Sequence, residues 1–327
     1  MSTMRDAQNV KEAGTEAIRQ DVSPAPKSAK SGALHFLLRL ISSIVLWVVV
    51  LLGIFYARPL FFYAILTVIA CVALWEFYNI VEAAGLRCYK LWGLAACAAL
   101  VMGSWFFFER GVLTPKANAF SLFVLIVFML GVFIRQFPQK HNPQPIQTMA
   151  CTIFGLLYVP WLLSFIALIN FGFLPADAPS EVWKTAQQDG RFFVLYLVLV
   201  TKFTDVGSYV FGMTIGKHKL IPRISPNKTW EGVWGGIFVA LLASYGGWYL
   251  MREPLERNGL DFLNATVLGL LLGAVAIVGD LAESLIKRQA NIKDSGKMLP
   301  GIGGGLDLVD SLLFTAPVLY VYMRLMM

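Results

Sequence analysis

Asp307 and Asp310 stand three residues apart just after a run of glycines, and Asp280 lies upstream of them beyond a basic cluster. Carboxylates at that spacing share a helix face and offer the oxygen ligands that Mg²⁺ prefers, often beside substrate phosphates. The same spacing suits helix capping, so D-x-x-D alone carries little weight. Its surroundings add more: Ser284, Lys287, Arg288, Lys293 and Lys297 precede Pro300-Gly301-Ile302-Gly303-Gly304-Gly305. Glycines such as Gly303 and Gly304 let backbone approach a phosphate, although glycine-rich turns are also ordinary connections and the chain has no GxxxxGK[ST] loop. A second cluster is Lys217 to Gly232, where Ser225, Lys228 and Thr229 precede a helix start. Point charges, hydroxyls and a positive helix end suit a polyphosphate, and a topogenic basic loop on anionic lipid is the plainer reading. The third is a helical stripe of Lys202, Asp205, Tyr209, Gly212 and Gly216, at offsets of three and four. Charges at membrane depth face a bundle interior or a watery cavity, which makes the stripe a functional candidate. A self-neutralising Lys202–Asp205 pair with packing glycines would also account for it.

The elements that must hold these residues are set by composition. Of 327 residues, 57% are hydrophobic and 14% charged, against roughly 25% charged in soluble domains. The apolar residues come in runs of about 20, enough to cross a bilayer as helices. The fold class expected is therefore all-α: a polytopic helical bundle of about nine transmembrane spans, near 33–56, 59–81, 91–108, 117–135, 148–173, 192–216, 232–251, 262–280 and 306–325. Residues 1–32 are polar and lack a signal-peptide core, so they read as a disordered tail. Four dispersed cysteines and three dispersed histidines (His35, His141, His218) show no metal-site spacing, which argues for packing and against zinc.

The basic residues lie in loops rather than on one soluble face, so the net charge of +7 reflects membrane topology and not nucleic-acid binding. Nine spans put 17 Lys and Arg with the tail and eight on the other side, with Arg39 and Lys202 inside spans. The tail is expected in the cytoplasm of a cell membrane, a bacterial inner membrane, along with the loops around 217–231 and 281–305.

The run Ser284, Lys287-Arg288, Lys293-Asp294, Gly296, Leu299-Pro300-Gly301, Gly303-Gly304, Asp307 and Asp310 closely resembles the signature of phosphatidate cytidylyltransferases, the CDP-diacylglycerol synthases. Ile224 to Gly232 resembles that family's other hallmark, in the same order and with a span pair between. The resemblance is strong from about residue 150, dividing the chain into the tail (1–32), variable helices (33–146) and a catalytic region (147–327). It implies that CTP and phosphatidate give CDP-diacylglycerol and diphosphate. Asp280 and Asp307 would bind Mg²⁺, with Asp310 as a further ligand and room for a second cation. Asp307, Asp280, Lys228 and Lys293 would be catalytic. Lys228 with Ser225 and Thr229 would hold the triphosphate, and Lys287, Arg288 and Lys293 the lipid phosphate or the leaving diphosphate. Asp205 and Tyr209 would line a cleft that admits the lipid sideways, and Gly303 and Gly304 would approach substrate. The implied partners are CTP, phosphatidate and the bilayer, with a homodimer left open. Ile302 stands where the family usually has His, and Leu308 where it has Arg. A regulatory paralogue that binds lipid or CTP thus remains an alternative, as does an anionic-metabolite transporter, although the two halves show no internal repeat.

Overall fold

The structure, a computed structural model, describes residues 48, 51–53, 59–109, 114–139, 142–171, 180–292, 295–296 and 303–327. The expected tail and nearly all of the first expected span lie outside them. Among the described residues, seven helices are long and apolar enough to cross a membrane, and the chain is a multi-pass, all-α membrane protein. The seven come from α1 (Pro59–Ala83), α3 (Thr114–Gln136), the broken helix α4 (Pro145–Leu156) and α5 (Leu162–Phe171), α6 (Ser180–Thr214), α7 (Trp230–Leu250), α9 (Phe262–Gln289) and α10 (Gly305–Met326). α2 (Lys90–Glu109) adds a shorter apolar stretch, Lys90–Gly103, and α8 (Arg252–Arg257) is a short connector.

The burial pattern is that of a bundle in lipid. Large side chains such as Phe123, Ile126, Leu130 and Phe238 face outward, where hydrocarbon replaces water and exposure carries no penalty. α3 is peripheral, with only 17% of its apolar window buried. The broken helix and α10 are central at 56% each. The break is a π-helical turn, Leu157–Trp161, around Pro160. Proline cannot donate the amide hydrogen bond of a regular turn, and a local widening accommodates it.

Two departures from the expected elements matter for the site. The segment after α6 is not simply a loop: β1 (Lys219–Ile221) and β2 (Ser225–Thr229) pair antiparallel, with Lys219 opposite Thr229 and Ile221 opposite Ser225. Glu231 fastens this hairpin to α7, accepting from the backbone N–H groups of Lys217 and His218 and pairing with His218 Nδ1 at 2.6 Å. Secondly, α9 continues past 280 to Gln289, so Glu283, Lys287 and Arg288 lie on helix. The extension is favoured by a Glu283–Lys287 ion pair four residues apart and by cations at the helix C-terminus.

Candidate active site

Thr229 closes the hairpin and caps α7, its Oγ1 accepting from Gly232 N at 3.2 Å. α6 crosses α7 closely at this level. A Cβ on Gly232 would lie 2.8 Å from Ser208 O and 3.3 Å from Gly212 Cα, so only glycine permits the approach. Between α6, β2, α7 and α9 lies a cleft of about 390 Å³ lined by residues that include Asp205, Tyr209, Asn227, Lys228, Thr229 and Asp280. The stripe on α6, the hairpin and the end of α9 thus meet at one cavity.

Ion pairs hold its walls together. Lys228 Nζ lies 2.9 Å from Asp280 Oδ2, joining the hairpin to α9. Lys202 Nζ lies 3.3 Å from Asp205 Oδ2, and Ser311 Oγ donates to Asp205 Oδ1 at 3.2 Å, joining α6 to α10. Lys287 Nζ is shared between Glu283 Oε2 at 2.8 Å and Asp307 Oδ1 at 2.7 Å. Arg288 Nε donates to the Ile224 carbonyl at 3.0 Å, tying α9 to the hairpin turn.

The acidic residues divide into two groups. Asp280, Glu283 and Asp310 each place one carboxylate oxygen within 4.8 Å of the others'. Asp307 has other partners: besides Lys287, its Oδ2 accepts from Gly304 N at 2.8 Å, closing the first turn of α10. The three clustered acids fit a divalent cation. Oxygens that close together share a point about 2.8 Å or less from each, and Mg²⁺–oxygen distances of about 2.0–2.1 Å need only small side-chain closure. Among the described residues no donor reaches Glu283 Oε1, which is buried. Across the whole site, the five carboxylates of Asp205, Asp280, Glu283, Asp307 and Asp310 face the three ammonium groups of Lys202, Lys228 and Lys287.

The structure therefore brings Asp205, Tyr209, Lys228, Thr229, Asp280 and Asp310 to one region and places Lys287 and Asp307 beside it. Ser225 opens β2 at the turn end of the hairpin. Gly303 has φ +117°, a conformation that favours glycine, and Gly304 is the N-cap of α10. Lys293 lies outside the described residues, as does Ile302. Leu308 packs with the apolar core. Sequence reasoning left out Glu283, whose signal was its place three residues after Asp280 on the continuing helix. It also left out Tyr158, whose buried hydroxyl has no hydrogen-bond partner among the described residues and which lies in the field of Glu283 and Asp310 from the π-helical turn.

Acids and lysines thus cluster around a cleft in a bundle of membrane-spanning helices. Comparison with known proteins narrows this: the family model of the cytidylyltransferase family matches residues 37–326, and the chain belongs to that family. An uncharacterized Escherichia coli (strain K12) protein, YnbB, is 35% identical over 210 residues, 63% of this chain and 65% of its own length. The phosphatidate cytidylyltransferase of Staphylococcus aureus (strain COL) is 37% identical over 168 residues, 51% of this chain and 60% of its own. That of Staphylococcus haemolyticus (strain JCSC1435) is 36% identical over the same length. The chain spans 60–65% of the length of these curated relatives.

Proposed function

We infer that the chain is a phosphatidate cytidylyltransferase, converting CTP and phosphatidate to CDP-diacylglycerol and diphosphate. The carrying observation is the acidic trio beside Lys228 and Lys287 at a cleft among membrane helices. The named relatives point to the same substrates. A phosphate oxygen of phosphatidate attacks the α-phosphorus of CTP, the bond to the β-phosphate breaks, and its electron pair leaves with diphosphate. Such a transfer depends mostly on positioning and on neutralising charge.

Each residue's part follows from its place. Lys228 is held over the cleft by Asp280, so a triphosphate entering there finds an oriented ammonium group and the N-terminal end of α7. The Thr229 hydroxyl accepts from Gly232 N and keeps its own proton to donate to a phosphate oxygen. Lys287 orients Glu283 and Asp307 and carries the charge that would receive diphosphate or the lipid phosphate. Asp280, Glu283 and Asp310 would hold Mg²⁺, which when bound withdraws charge from phosphate oxygens. Tyr209, 68% exposed on α6, marks the side from which the lipid would enter with its acyl chains against apolar helices. The site would face the cytoplasm of a bacterial inner membrane, where CTP is present and where the basic loops favour it.

Leu308 keeps a second reading in play, since an apolar side chain packs where relatives would present a guanidinium. That reading is a regulatory protein that binds CTP or lipid without turnover. Purified protein given radiolabelled CTP, Mg²⁺ and phosphatidate, or other lipid phosphates, separates the two. Label in the chloroform-soluble fraction only with phosphatidate supports the enzyme. Nucleotide-dependent thermal stabilisation without any labelled lipid product refutes it.

A further inference from the structure

The helix that carries Asp307 and Asp310 begins without a capping side chain, because its N-cap residue is Gly304. An N-cap side chain ordinarily accepts from a first-turn amide that has no partner within the helix. Here the Leu306 N–H donates instead to Glu76 Oε2 at 2.9 Å, across 230 residues of sequence. Glu76 lies on α1 and is only 5% exposed, and Ser295 Oγ reaches the same oxygen at 3.4 Å. The chain leaves space for this carboxylate with two glycines: a Cβ on Gly296 would strike Glu76 Oε1, and one on Gly304 would strike Glu76 Oε2 and Ser295 Oγ. Val72, four residues before Glu76 and on the same helix face, packs on Gly305, where a Cβ would come within 2.6 Å of Val72 Cγ1. α1 thus meets the start of α10 with one packing residue and one acceptor.

A buried carboxylate is costly unless it is paired, and an apolar side chain would fill the same space without that cost. What the carboxylate adds is a directed acceptor and a negative charge at the positive end of a helix. We propose that Glu76 is a positioning residue that caps α10 in trans and thereby fixes Asp307 and Asp310 against Asp280 and Glu283. Two carboxylates then hold the first turn, Asp307 through Gly304 N and Glu76 through Leu306 N. The tether is a property of the fold, and its catalytic consequence rests on the cytidylyltransferase reading. Because misplacement of about 1 Å costs on the order of 100-fold in rate, a loosened first turn should be felt in turnover more than in binding.

The test uses the full chain in proteoliposomes, with hydrogen exchange over residues 303–312 and cytidylyl transfer measured in parallel. Glu76→Ala is expected to speed exchange there and to lower kcat by at least about tenfold, with KM for CTP changed less than about threefold. Glu76→Gln keeps an acceptor oxygen and should retain more than about a third of parental kcat. Gly304→Ser should impair the parent, where the new Cβ meets both Glu76 Oε2 and Ser295 Oγ. A Glu76→Ala protein with parental exchange and kcat overturns the proposal. Should Glu76→Ala not fold, Glu76→Gln decides: near-parental exchange and kcat support the cap, and a loss of about tenfold or more overturns it. If the parent forms no CDP-lipid, the substrate reading fails, while exchange over 303–312 still decides the tether.

Discussion

Asp310→Asn and Asp307→Asn should change stability in opposite directions, and the difference follows from their surroundings. Asp310 is buried, accepts one hydrogen bond from Ser311 N at 2.6 Å, and shares the trio with Asp280 and Glu283. Asparagine keeps the acceptor and removes the charge. Like charges about 5 Å apart repel by roughly 3 kcal/mol at an effective dielectric constant of about 20. Removing Asp310's charge relieves its burial cost and the repulsion from Asp280 and Asp205 and forfeits the opposing attraction of Lys202, so the metal-free variant should be roughly 1–3 kcal/mol more stable than the parent. Asp307→Asn keeps the Gly304 N–H acceptor but loses its charge-assisted bond from Lys287, which at a partly exposed site costs about 1 kcal/mol. The cation should separate them further. Saturating Mg²⁺ with CTP at about 100 times its Kd stabilises a binding protein by about 2.7 kcal/mol; Asp307→Asn should keep much of that gain, and Asp310→Asn should lose it. Since changes behind a metal's direct ligands already cost roughly 10–100-fold, Asp310→Asn should lower product formation by at least about 100-fold. Melting curves with and without Mg²⁺ and CTP, alongside radiolabelled product formation, read both effects. An Asp310→Asn protein with parental Mg²⁺-dependent stabilisation and turnover would refute the trio as the metal site.

Lys287→Met leaves Glu283 and Asp307 without their shared cation, so unfolding should be easier by roughly 3 kcal/mol, read by denaturant titration in mixed micelles, and activity should be lost. An unchanged midpoint would show that the pair contributes nothing. Exposed Arg223 and Gln289 each replaced by cysteine in a cysteine-free background should both react with an impermeant maleimide added from the cytoplasmic side; labelling from opposite faces would break the shared site. Burial pushes the Cys88 thiol, in the connection between α1 and α2, up to about 12. The thiolate is the reactive form and is only a small fraction below that pKa, a fraction that grows about tenfold per pH unit, so alkylation of Cys88 should be negligible at neutral pH and climb about tenfold per unit towards pH 11. A rate that levels off near pH 9 would contradict this.

The bundle was legible in the sequence because bilayer length and the scarcity of charge leave few alternatives to spanning helices. Lys202 and Asp205 stood out because charge at membrane depth is costly, Lys228 because it lies among hydroxyls and cations before a helix start, and Asp280 because it closes a span upstream of Asp307 and Asp310; the structure brings all four to one region because α6, β2, α9 and α10 meet there. The end of α9 was harder to place. Apolar periodicity stops near Asp280, while the helix continues through Glu283, Ser284 and Lys287 on tertiary contacts that no hydropathy window contains. For the same reason Glu283 was absent from the acidic set. Glu76 carried a local signal, a carboxylate within the apolar run of α1 and a turn and a half before Glu82, but its partner is the amide of Leu306, and no side-chain pattern reports where a backbone N–H will lie.

A single-sided site does not require the span count to be settled. Between the hairpin at 219–229 and the start of α10 the chain crosses the bilayer twice, through α7 and α9, so both segments return to the same face whatever precedes α6. The Lys228–Asp280 ion pair and the Arg288 bond to the Ile224 carbonyl are contacts that this parity permits and that opposite faces would forbid. The number of preceding spans decides something else, namely which face the N-terminal tail shares. The basic residues near the site bear on it independently: Lys217, Lys219, Arg223, Lys228, Lys287 and Arg288 cluster at one face, and positive charge favours the cytoplasmic side proposed for it. The cations that would receive phosphates are thus also ones that would bias the orientation, so moving them across the sequence to alter the site should alter its topology as well.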